Sequence, residues 1–247
     1  MSGYGVFAEY YDKLTENVAY PKRADYFRTL LSAQGVTGGT LLDLACGTGR
    51  LLLEMAAYGF DVIGVDASAE MLCAAQSKPQ IMKLRPLLLC QTMQTLDLYD
   101  TVDAAVCALD SVNHLTDPRD VQAAFKRVSL FLNPGGVFVF DVNTVYKHKA
   151  VLANNSFVYD MEGLYCVWQN RLDEKTDTVE ITLDFFEEDD GAYVRSTETI
   201  TERAYPLEDL QAWLEEAGLT LLNVYEELTQ SPPKSDTQRA VFVCKKG

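Results

Sequence analysis

The sequence predicts an α/β fold in which a doubly wound, seven-stranded, mostly parallel sheet carries an inserted small antiparallel β-sheet. Three observations predict it. Short apolar segments alternate with helical ones up to Asp141, a glycine-rich turn follows the first apolar segment, and strict apolar–polar alternation begins near Phe157. Alternating strands and helices are typical of parallel βαβ units. Alternation with a period of two indicates a strand with one solvated face.

The strands of the parallel part are short and continuously apolar, as expected for a sheet that is covered on both faces. Helices separate them: one begins at Arg50 and ends at Gly59, one is capped by Ser68, and one opens at Asp117 and runs to about Leu132. The predicted strands span residues 40–45, 60–65, 87–90, 102–109 and 137–140.

The second half of the chain predicts the inserted sheet. Apolar residues alternate with polar ones from Val179 to Phe185, an acidic turn leads into a second strand through Tyr205, and another strand precedes them at 164–172. We therefore predict an inserted antiparallel β lid over residues 150–205. The remaining predicted elements are an N-terminal helical flap at 1–35, a helix at 206–217, and strands at 219–226 and 239–245, all within one domain of residues 1–247.

The composition limits the possible function classes. The 36 acidic residues against 21 Lys and Arg give a formal charge of −15, which disfavours a phosphate backbone, so no nucleic acid is expected as a partner. Six cysteines without a C-x-x-C pair and only two histidines argue against a zinc site. No apolar run has the length of a membrane span, and the start lacks a secretion-signal pattern. We expect a cytoplasmic monomer or homodimer without membrane attachment.

The turn after the first strand is the first candidate ligand site. Gly47 and Gly49 allow backbone amides to approach a ligand closely, and the next helix directs its positive end to the same place. Ligands of doubly wound sheets bind at the carboxyl ends of the strands. By itself, this turn does not distinguish a ligand site from a tight strand–helix connection.

A carboxylate at the end of the second strand favours a ligand site over a simple strand–helix connection. Asp66 follows the glycines by about twenty residues, where such folds bind a ribose diol. The alternative role is a helix N-cap, for which Ser68 is also available. Both NAD and S-adenosylmethionine carry this ribose. A dinucleotide site requires a third glycine where this chain has Leu52, so the bulk of Leu52 and the loop after Asp43 favour S-adenosylmethionine.

Residues 42–49 (LDLACGTG), 65–72 (VDASAEML) and 132–141 (LNPGGVFVFD) resemble the class I S-adenosylmethionine-dependent methyltransferases. The resemblance covers residues 40–141 and extends to the closing helix and strands. It implies a Rossmann-like methyltransferase fold. Residues 20–26 (YPKRADY) are also similar to the flap of the glycine-type small-molecule N-methyltransferases.

The resemblance implies a set of cofactor contacts. Asp66 binds the ribose, and Met71 lies against the adenine, although core packing explains Met71 equally well. Thr92 stands where the family often has an acidic residue, and Met93 offers its backbone amide. The cofactor-binding residues implied for the core are Asp43, Ala45, Gly47, Gly49, Asp66, Ala67, Met71, Thr92, Met93 and Leu109.

The N-terminal segment supplies further candidates. Aromatic faces attract a sulfonium cation, so Tyr11 and Tyr20 are expected beside the cofactor, and the alternative is that these rings only pack the segment onto the domain. By resemblance, Lys22 or Arg23 pairs with the cofactor carboxylate.

The acceptor side is expected after the fourth and fifth strands. The segment from Asp110 to Leu115 is similar to that of the same N-methyltransferases, from which Asp110 departs. His114 is the candidate general base, with a buried histidine that fixes the loop as the alternative. The residues expected to face the acceptor are Asp110, Asn113, His114, Asp141, Asn143 and Tyr146.

The resulting hypothesis is in-line transfer of a methyl group to a small-molecule acceptor beneath the flap and the inserted sheet, without a metal. One alternative is methylation of a protein or RNA. Another is a non-catalytic S-adenosylmethionine-binding protein, and the threonine at position 92 is the observation that favours it. A nicotinamide enzyme is the fourth possibility.

Overall fold

The computed structural model describes residues 5–247, so the first four residues of the predicted flap lie outside the described part. The described chain begins with two helices, α1 (Gly5–Leu14) and α2 (Tyr20–Ala33). The first half of the core comprises β1 (Gly39–Leu44), α3 (Arg50–Ala57), β2 (Phe60–Asp66), α4 (Ala69–Gln76), α5 (Pro79–Leu84), β3 (Leu87–Cys90), β4 (Val102–Cys107), α6 (Pro118–Phe131) and β5 (Leu132–Asn143). The second half comprises β6 (Ser156–Met161), β7 (Leu164–Asp173), β8 (Thr178–Asp189), β9 (Ala192–Arg203), α7 (Leu207–Glu216), β10 (Leu219–Glu226) and β11 (Arg239–Lys246).

Seven strands form the main sheet in the order β10-β11-β5-β4-β1-β2-β3. β11 runs antiparallel to both β5 and β10, and the pairs among β1 to β5 are parallel. The chain builds outward from β1 to β3 and then crosses to place β4 on the other side of β1. The strand order therefore reverses between β1 and β4, and a crevice opens at the carboxyl ends of these two strands.

The apolar strands are explained by burial on both faces of this sheet. Leu41 and Leu42 are adjacent in β1, yet they pack into two different hydrophobic clusters, one on each side. The rings of Phe138, Phe140 and Phe242 stack across β5 and β11 with centroids 4.8 and 4.9 Å apart. These contacts confirm the predicted doubly wound, mostly parallel seven-stranded sheet.

The inserted sheet is also confirmed, with four antiparallel strands in the order β6-β7-β8-β9. Its buried face carries Ile181 and Phe185, which cluster with Leu14 of α1 and with Leu152. α1 therefore packs on the inserted sheet through its apolar side.

Four local features differ from the predictions. β6, α5 and a short π-helical segment at Lys147–Leu152 were not predicted. β5 begins at Leu132, so the predicted turn before it is part of the strand, and a register shift against β4 accommodates Pro134 and the two glycines there. Within the described residues, no helix combines the length and apolar character needed to cross a membrane.

Candidate functional site

A cavity of about 550 Å³ lies at the carboxyl edge of the main sheet. The loops after β1, β2, β3 and β4 form one part of its wall, and α1 and the inserted sheet form the other. It thus occupies the crevice where the strand order reverses. Its lining includes Tyr11, Ala45, Gly47, Asp66, Ala67, Met71, Thr92, Met93, Leu109, Asp110, His114, Lys147, Glu202 and Arg239.

The turn after β1 is left-handed at three positions. Ala45, Gly47 and Gly49 have φ values of 60°, 53° and 76°. A Cβ on Gly47 would meet no atom within 4 Å, so this position borders open space in the cavity lining. A Cβ on Gly49 would lie 3.2 Å from Ile81, and Gly49 caps α3 behind the lining. Gly47 therefore presents its backbone to a ligand, whereas Gly49 serves close packing.

Asp66 connects two loops at the end of β2. Its Oδ2 accepts the Gly47 N–H at 2.8 Å, and its Oδ1 accepts the Ser68 N–H at 2.8 Å. Burial raises the pKa of the Asp66 carboxyl, and these backbone hydrogen bonds oppose that shift. The Ser68 hydroxyl accepts the Met71 N–H and caps α4, so the alternative of Asp66 as the N-cap is wrong.

A small recess next to the cavity contains the Asp43 carboxyl, which is only 1% exposed. The Oδ2 atom of Asp43 has no hydrogen-bond partner among the described residues. Burial, together with the nearby Asp66 charge, raises the pKa of Asp43 to about 8. The recess therefore holds a buried carboxyl group that has one oxygen, Oδ2, without a partner among the described residues.

The N-terminal candidates occupy different places. Tyr11 lines both the cavity and the recess, and Tyr20 lines the recess. Lys22 is exposed and lines neither. Arg23 is buried in ion pairs with Asp141 at 3.2 Å and Glu227 at 2.5 Å, away from the cavity lining. The structure therefore does not bring Lys22 or Arg23 to the site.

The basic side chain in the recess is Arg50, which the sequence reading did not single out. Its guanidinium lies over the Tyr20 ring, 4.3 Å from the centroid. Position 50 opens α3, where a cation gains nothing from the helix dipole. Only the fold, which places α2 against α3, brings these two side chains together.

Ala67, Met71, Thr92 and Met93 meet at the part of the cavity formed after β2 and β3. Met71 is buried at 4% exposure and also lines the cavity, so it packs in the core, and its predicted contact with the adenine stays a prediction. The Thr92 hydroxyl is hydrogen-bonded to the Thr95 hydroxyl at 2.7 Å. Where the family often has an acidic residue, this chain therefore has a hydroxyl group that is already hydrogen-bonded to another side chain.

The turn after β4 carries two consecutive left-handed residues. Leu109 and Asp110 have φ values of 58° and 55°, which are unfavourable for residues with a side chain. Their backbone N–H groups donate to the Asp141 carboxylate at 2.9 and 2.7 Å. Asp141 is fully buried and does not line the cavity, so its expected place at the pocket surface is corrected to a supporting position below it.

Asp110 itself points into a charged cluster. Arg239 of β11 pairs with Asp110 at 3.0 Å, and the Asn143 amide donates to the other oxygen. Burial favours a higher pKa for Asp110, but the charges of Arg239 and Lys147 outweigh it and hold the pKa well below the usual range. Asp110 is therefore a carboxylate fixed in place.

Asn113 has a structural position. It is 1% exposed, and its amide donates to the carbonyl oxygens of Asn143 and Arg203 at 3.1 and 2.9 Å. Its Oδ1 accepts the Asn143 N–H at 2.9 Å. Asn113 and Asn143 thus join the ends of β5 and β9 and do not line the cavity, contrary to the expectation. Tyr146 is 40% exposed and also lies outside the lining.

The two histidines of the chain flank one carboxylate. His114 lines the cavity with its Nε2 4.0 Å from Glu202 Oε1, and the fully buried His148 has its Nε2 3.6 Å from Glu202 Oε2. The His148 Nδ1 is 3.1 Å from the Asp177 carbonyl oxygen. His114 is therefore accessible from the cavity, whereas His148 supports Glu202 from behind.

Three charged residues of the lining were missed by the sequence reading: Lys147, Glu202 and Arg239. Lys147 directly follows Tyr146, so the predicted acceptor-side segment ended one residue too early to include it. Glu202 and Arg239 carry no local signal, because nothing in the sequence distinguishes them from the other charged residues of β9 and β11.

Comparisons with known proteins agree with these features. A family model described as a methyltransferase domain matches residues 41–136. YqeM of Bacillus subtilis (strain 168), which carries a provisional methyltransferase name, is 33% identical over 245 residues, which cover 98% of this chain and 97% of YqeM. A glycine/sarcosine N-methyltransferase of Halorhodospira halochloris is 31% identical over 136 residues, which are 53% of this chain and 50% of that protein.

Among solved structures, an S-adenosylmethionine-dependent methyltransferase from Clostridium acetobutylicum ATCC 824 is similar along its whole length. The two share 35% sequence identity with a TM-score of 0.88, and the match covers 100% of both chains. The similarity includes the inserted sheet as well as the main one.

Proposed function

Because this chain belongs to the S-adenosylmethionine-dependent methyltransferases, we propose that it transfers the cofactor's methyl group to a small-molecule acceptor bound in the same cavity. The predictions of the family, of S-adenosylmethionine as the cofactor and of enzymatic activity are confirmed. The class of acceptor and the roles of individual residues are the proposal.

One observation carries the proposal: a single cavity extends from the glycine turn after β1 to the inner face of the inserted sheet. The first part has the residues expected for the cofactor, and the second part leaves room beside them under a cover of protein. A macromolecule would need an open groove, whereas this space is bounded by α1 and the inserted sheet. The name of the glycine/sarcosine N-methyltransferase relative also favours a small acceptor.

The residues of the site fit the cofactor. In this proposal, the Asp43 carboxyl, whose Oδ2 has no partner among the described residues, receives the ammonium of the amino-acid tail. Arg50 in the same recess attracts the tail's carboxylate. Gly47 allows close approach of the tail, and Asp66 binds the ribose diol. Met71 and Met93 hold the adenine between them.

When bound, S-adenosylmethionine supplies a methyl carbon activated by a positively charged sulfur, which leaves as a neutral thioether when an acceptor's lone pair takes the methyl group. The protein's contribution is alignment and exclusion of water. His114 is positioned to receive the acceptor's proton, with Glu202 as its nearest carboxylate. Asp110 and Arg239 form a fixed charged wall next to it.

The first test is calorimetric titration with S-adenosylhomocysteine, with NADH as the control ligand. We expect saturable binding of S-adenosylhomocysteine alone. Asp66→Ala should weaken that binding at least tenfold because it removes both the ribose acceptor and the anchor of Gly47. Unchanged binding by folded Asp66→Ala protein would show that the ribose lies elsewhere.

The second test concerns the acceptor. Release of S-adenosylhomocysteine from S-adenosylmethionine is measured with pools of small amines, alcohols and carboxylates, and with unfolded protein and RNA as macromolecular acceptors. Turnover with small molecules supports the proposal. Turnover with protein or RNA alone would overturn the small-molecule part and leave the cofactor assignment in place.

A further inference from the structure

We propose that the acceptor is an amine and a carboxylate joined to an apolar body, in the class of an aromatic or branched aliphatic amino acid, with its ammonium at Glu202 and its carboxylate at Lys147. The inference rests on the proposed function, since it concerns the acceptor half of the same cavity. It follows from a carboxylate without a Lys or Arg partner, a lysine without a carboxylate partner, and the apolar wall beside them.

Glu202 is the negative group; its nearest potential cations are His114 and His148, which carry a charge only when protonated. It is 5% exposed, and no described Lys or Arg forms an ion pair with it. Asn143 donates to its Oε2 at 3.2 Å, whereas His114 Nε2 lies 4.0 Å from its Oε1, beyond hydrogen-bond distance. A carboxylate this deeply buried is costly without a cation. An ammonium in the cavity supplies that partner.

Lys147 is the unpaired positive group. Its Nζ donates to Asn143 Oδ1 at 2.8 Å, and no described carboxylate lies within ion-pair distance of it. The nearby Asp110 is already paired with Arg239, so it is not free to neutralise Lys147. Burial and the charge of Arg239 lower the pKa of Lys147, and the charges of Asp110, Glu202 and Glu227 only partly oppose this shift.

One side chain sets the distance between these two charges. The amide oxygen of Asn143 accepts from Lys147, and its amide nitrogen donates to Glu202. The charges are therefore separated by the width of a single amide group and its two hydrogen bonds. An ammonium and a carboxylate attached to one carbon atom span a comparable distance when each adds a hydrogen bond to its partner.

The inner face of the inserted sheet, on which Glu202 itself lies, is otherwise apolar in the acceptor half. Trp168 and Tyr159 contact each other with ring centroids 6.4 Å apart, and Ile181, Leu183 and Ile200 continue the surface. The Trp168 indole N–H is already donated to Asn170, so the ring offers only its apolar face. Such a wall gains from burial of an apolar side chain, and apart from the Tyr159 hydroxyl it offers no hydrogen-bonding group to a sugar.

The test compares ligands that lack one feature each. Phenylalanine, tryptophan and leucine carry all three, phenethylamine lacks the carboxylate, 3-phenylpropionate lacks the amine, and glycine lacks the body. Each is titrated into protein saturated with S-adenosylhomocysteine. We expect at least one of the three amino acids to bind at least tenfold more tightly than every compound that lacks a feature.

Two substitutions assign the charges. Glu202→Gln should weaken binding of the amino acid and of phenethylamine and leave 3-phenylpropionate unchanged. Lys147→Gln should weaken the amino acid and 3-phenylpropionate and leave phenethylamine unchanged. Glu180→Gln and Lys149→Gln are matched controls, because both residues lie in surface ion pairs outside the cavity lining. Neither control should change any affinity.

The outcomes separate this inference from the proposed function. If S-adenosylhomocysteine binds but none of the three amino acids does, or if the compounds that lack a feature bind as tightly, the inference is overturned and the methyltransferase assignment stands. If S-adenosylhomocysteine itself does not bind, the proposed function fails first. If a substituted protein does not fold, the ligand comparison on the unsubstituted protein decides alone.

Discussion

The Asp141 carboxylate accepts the backbone N–H of Asp110 at 2.7 Å and in this way holds a left-handed turn at the edge of the cavity. The same carboxylate accepts the Leu109 N–H and pairs with Arg23 and Arg239. One buried anion at the end of β5 therefore joins the turn after β4, helix α2 and strand β11. Two residues in a costly backbone conformation persist because this anion compensates them.

Asp141→Asn should destabilise the fold and loosen the site. The substitution leaves two buried guanidinium groups without one of their carboxylates, which typically costs about 3 kcal/mol. We expect thermal unfolding at a lower temperature and weaker binding of S-adenosylhomocysteine, since Leu109 and Asp110 lose their anchor.

Asp25→Asn is the matched control for this change. Asp25 pairs with Arg28 on the surface, with side chains 56% and 38% exposed, and such pairs contribute little. Its unfolding temperature and ligand affinity should stay at the unsubstituted values. A loss of stability as small as that of the control would refute the supporting role of Asp141.

Gly47→Ala should reduce cofactor binding far more than it reduces stability. The left-handed φ of 53° costs an alanine about 1 kcal/mol, and the added methyl group projects into the cavity. We expect at least a tenfold loss of affinity for S-adenosylhomocysteine by calorimetry.

Gly191→Ala makes the comparison specific. Gly191 has a φ of 79° and open space around it, in the turn between β8 and β9. It should show a similar loss of stability with full ligand affinity. Equal affinities of the two variants would place the ligand away from the glycine turn.

Because the pKa of Asp43 is raised, we expect ligand binding to release a proton near neutral pH. Its pKa of about 8 means that the free protein holds this carboxyl mostly protonated at pH 7. An arriving ammonium favours the ionised form, so the proton leaves on binding. Titration with S-adenosylhomocysteine in phosphate and in Tris, whose ionisation enthalpies differ, measures the number released, and Asp43→Asn should lower it.

The same carboxyl makes a defined contribution to the pH dependence of stability. Its pKa is raised on folding from 3.8 to about 8, so the folded state holds a proton that the unfolded state has lost in this interval. The contribution of Asp43 to the free energy of unfolding therefore falls as the pH rises from about 4 to about 8. Unfolding curves of Asp43→Asn should fall less steeply across this range, and an identical slope would contradict the burial of an unpartnered carboxyl.

Asn113→Ala should destabilise the protein without a direct effect on the cavity surface. It leaves two carbonyl oxygens and the Asn143 N–H without their partner, at a cost of about 2 kcal/mol or more. For a chain of this length that lowers the unfolding temperature by roughly 5 °C. His114→Asn, one residue further, should leave the unfolding temperature within about 1 °C, because His114 makes no hydrogen bond within the described residues.

The sequence predicted the features that depend on local pattern. Burial on both faces makes β1 to β5 apolar throughout, exposure of one face makes β8 alternate, and positive φ requires the glycines after β1, so all three can be read along the chain. Asp66 and Ser68 lie at the end of β2 and the start of α4 for the same reason. Thr92 and Met93 follow β3 as expected.

Other residues were predicted in the wrong place because their position depends on contacts distant in sequence. Arg23 pairs with Asp141, 118 positions away, and the side chain of Asn113 donates to backbone carbonyl oxygens of β5 and β9. Tyr146 and Lys147 are neighbours, but the π-helical segment directs only Lys147 to the cavity. Local pattern cannot distinguish such neighbours.

The sequence by itself determined the order of strands and helices, the glycine turn and the carboxylate at the end of β2 that we propose for the ribose, since each depends on the chemistry of a short segment. The tertiary structure decided which charges meet. Glu202, Lys147 and Arg239 come from β9, the segment after β5, and β11, and they reach one cavity only because the inserted sheet and the closing strands fold back to the carboxyl edge of the main sheet. Coulomb interactions depend on distance in space, and the strand order sets that distance.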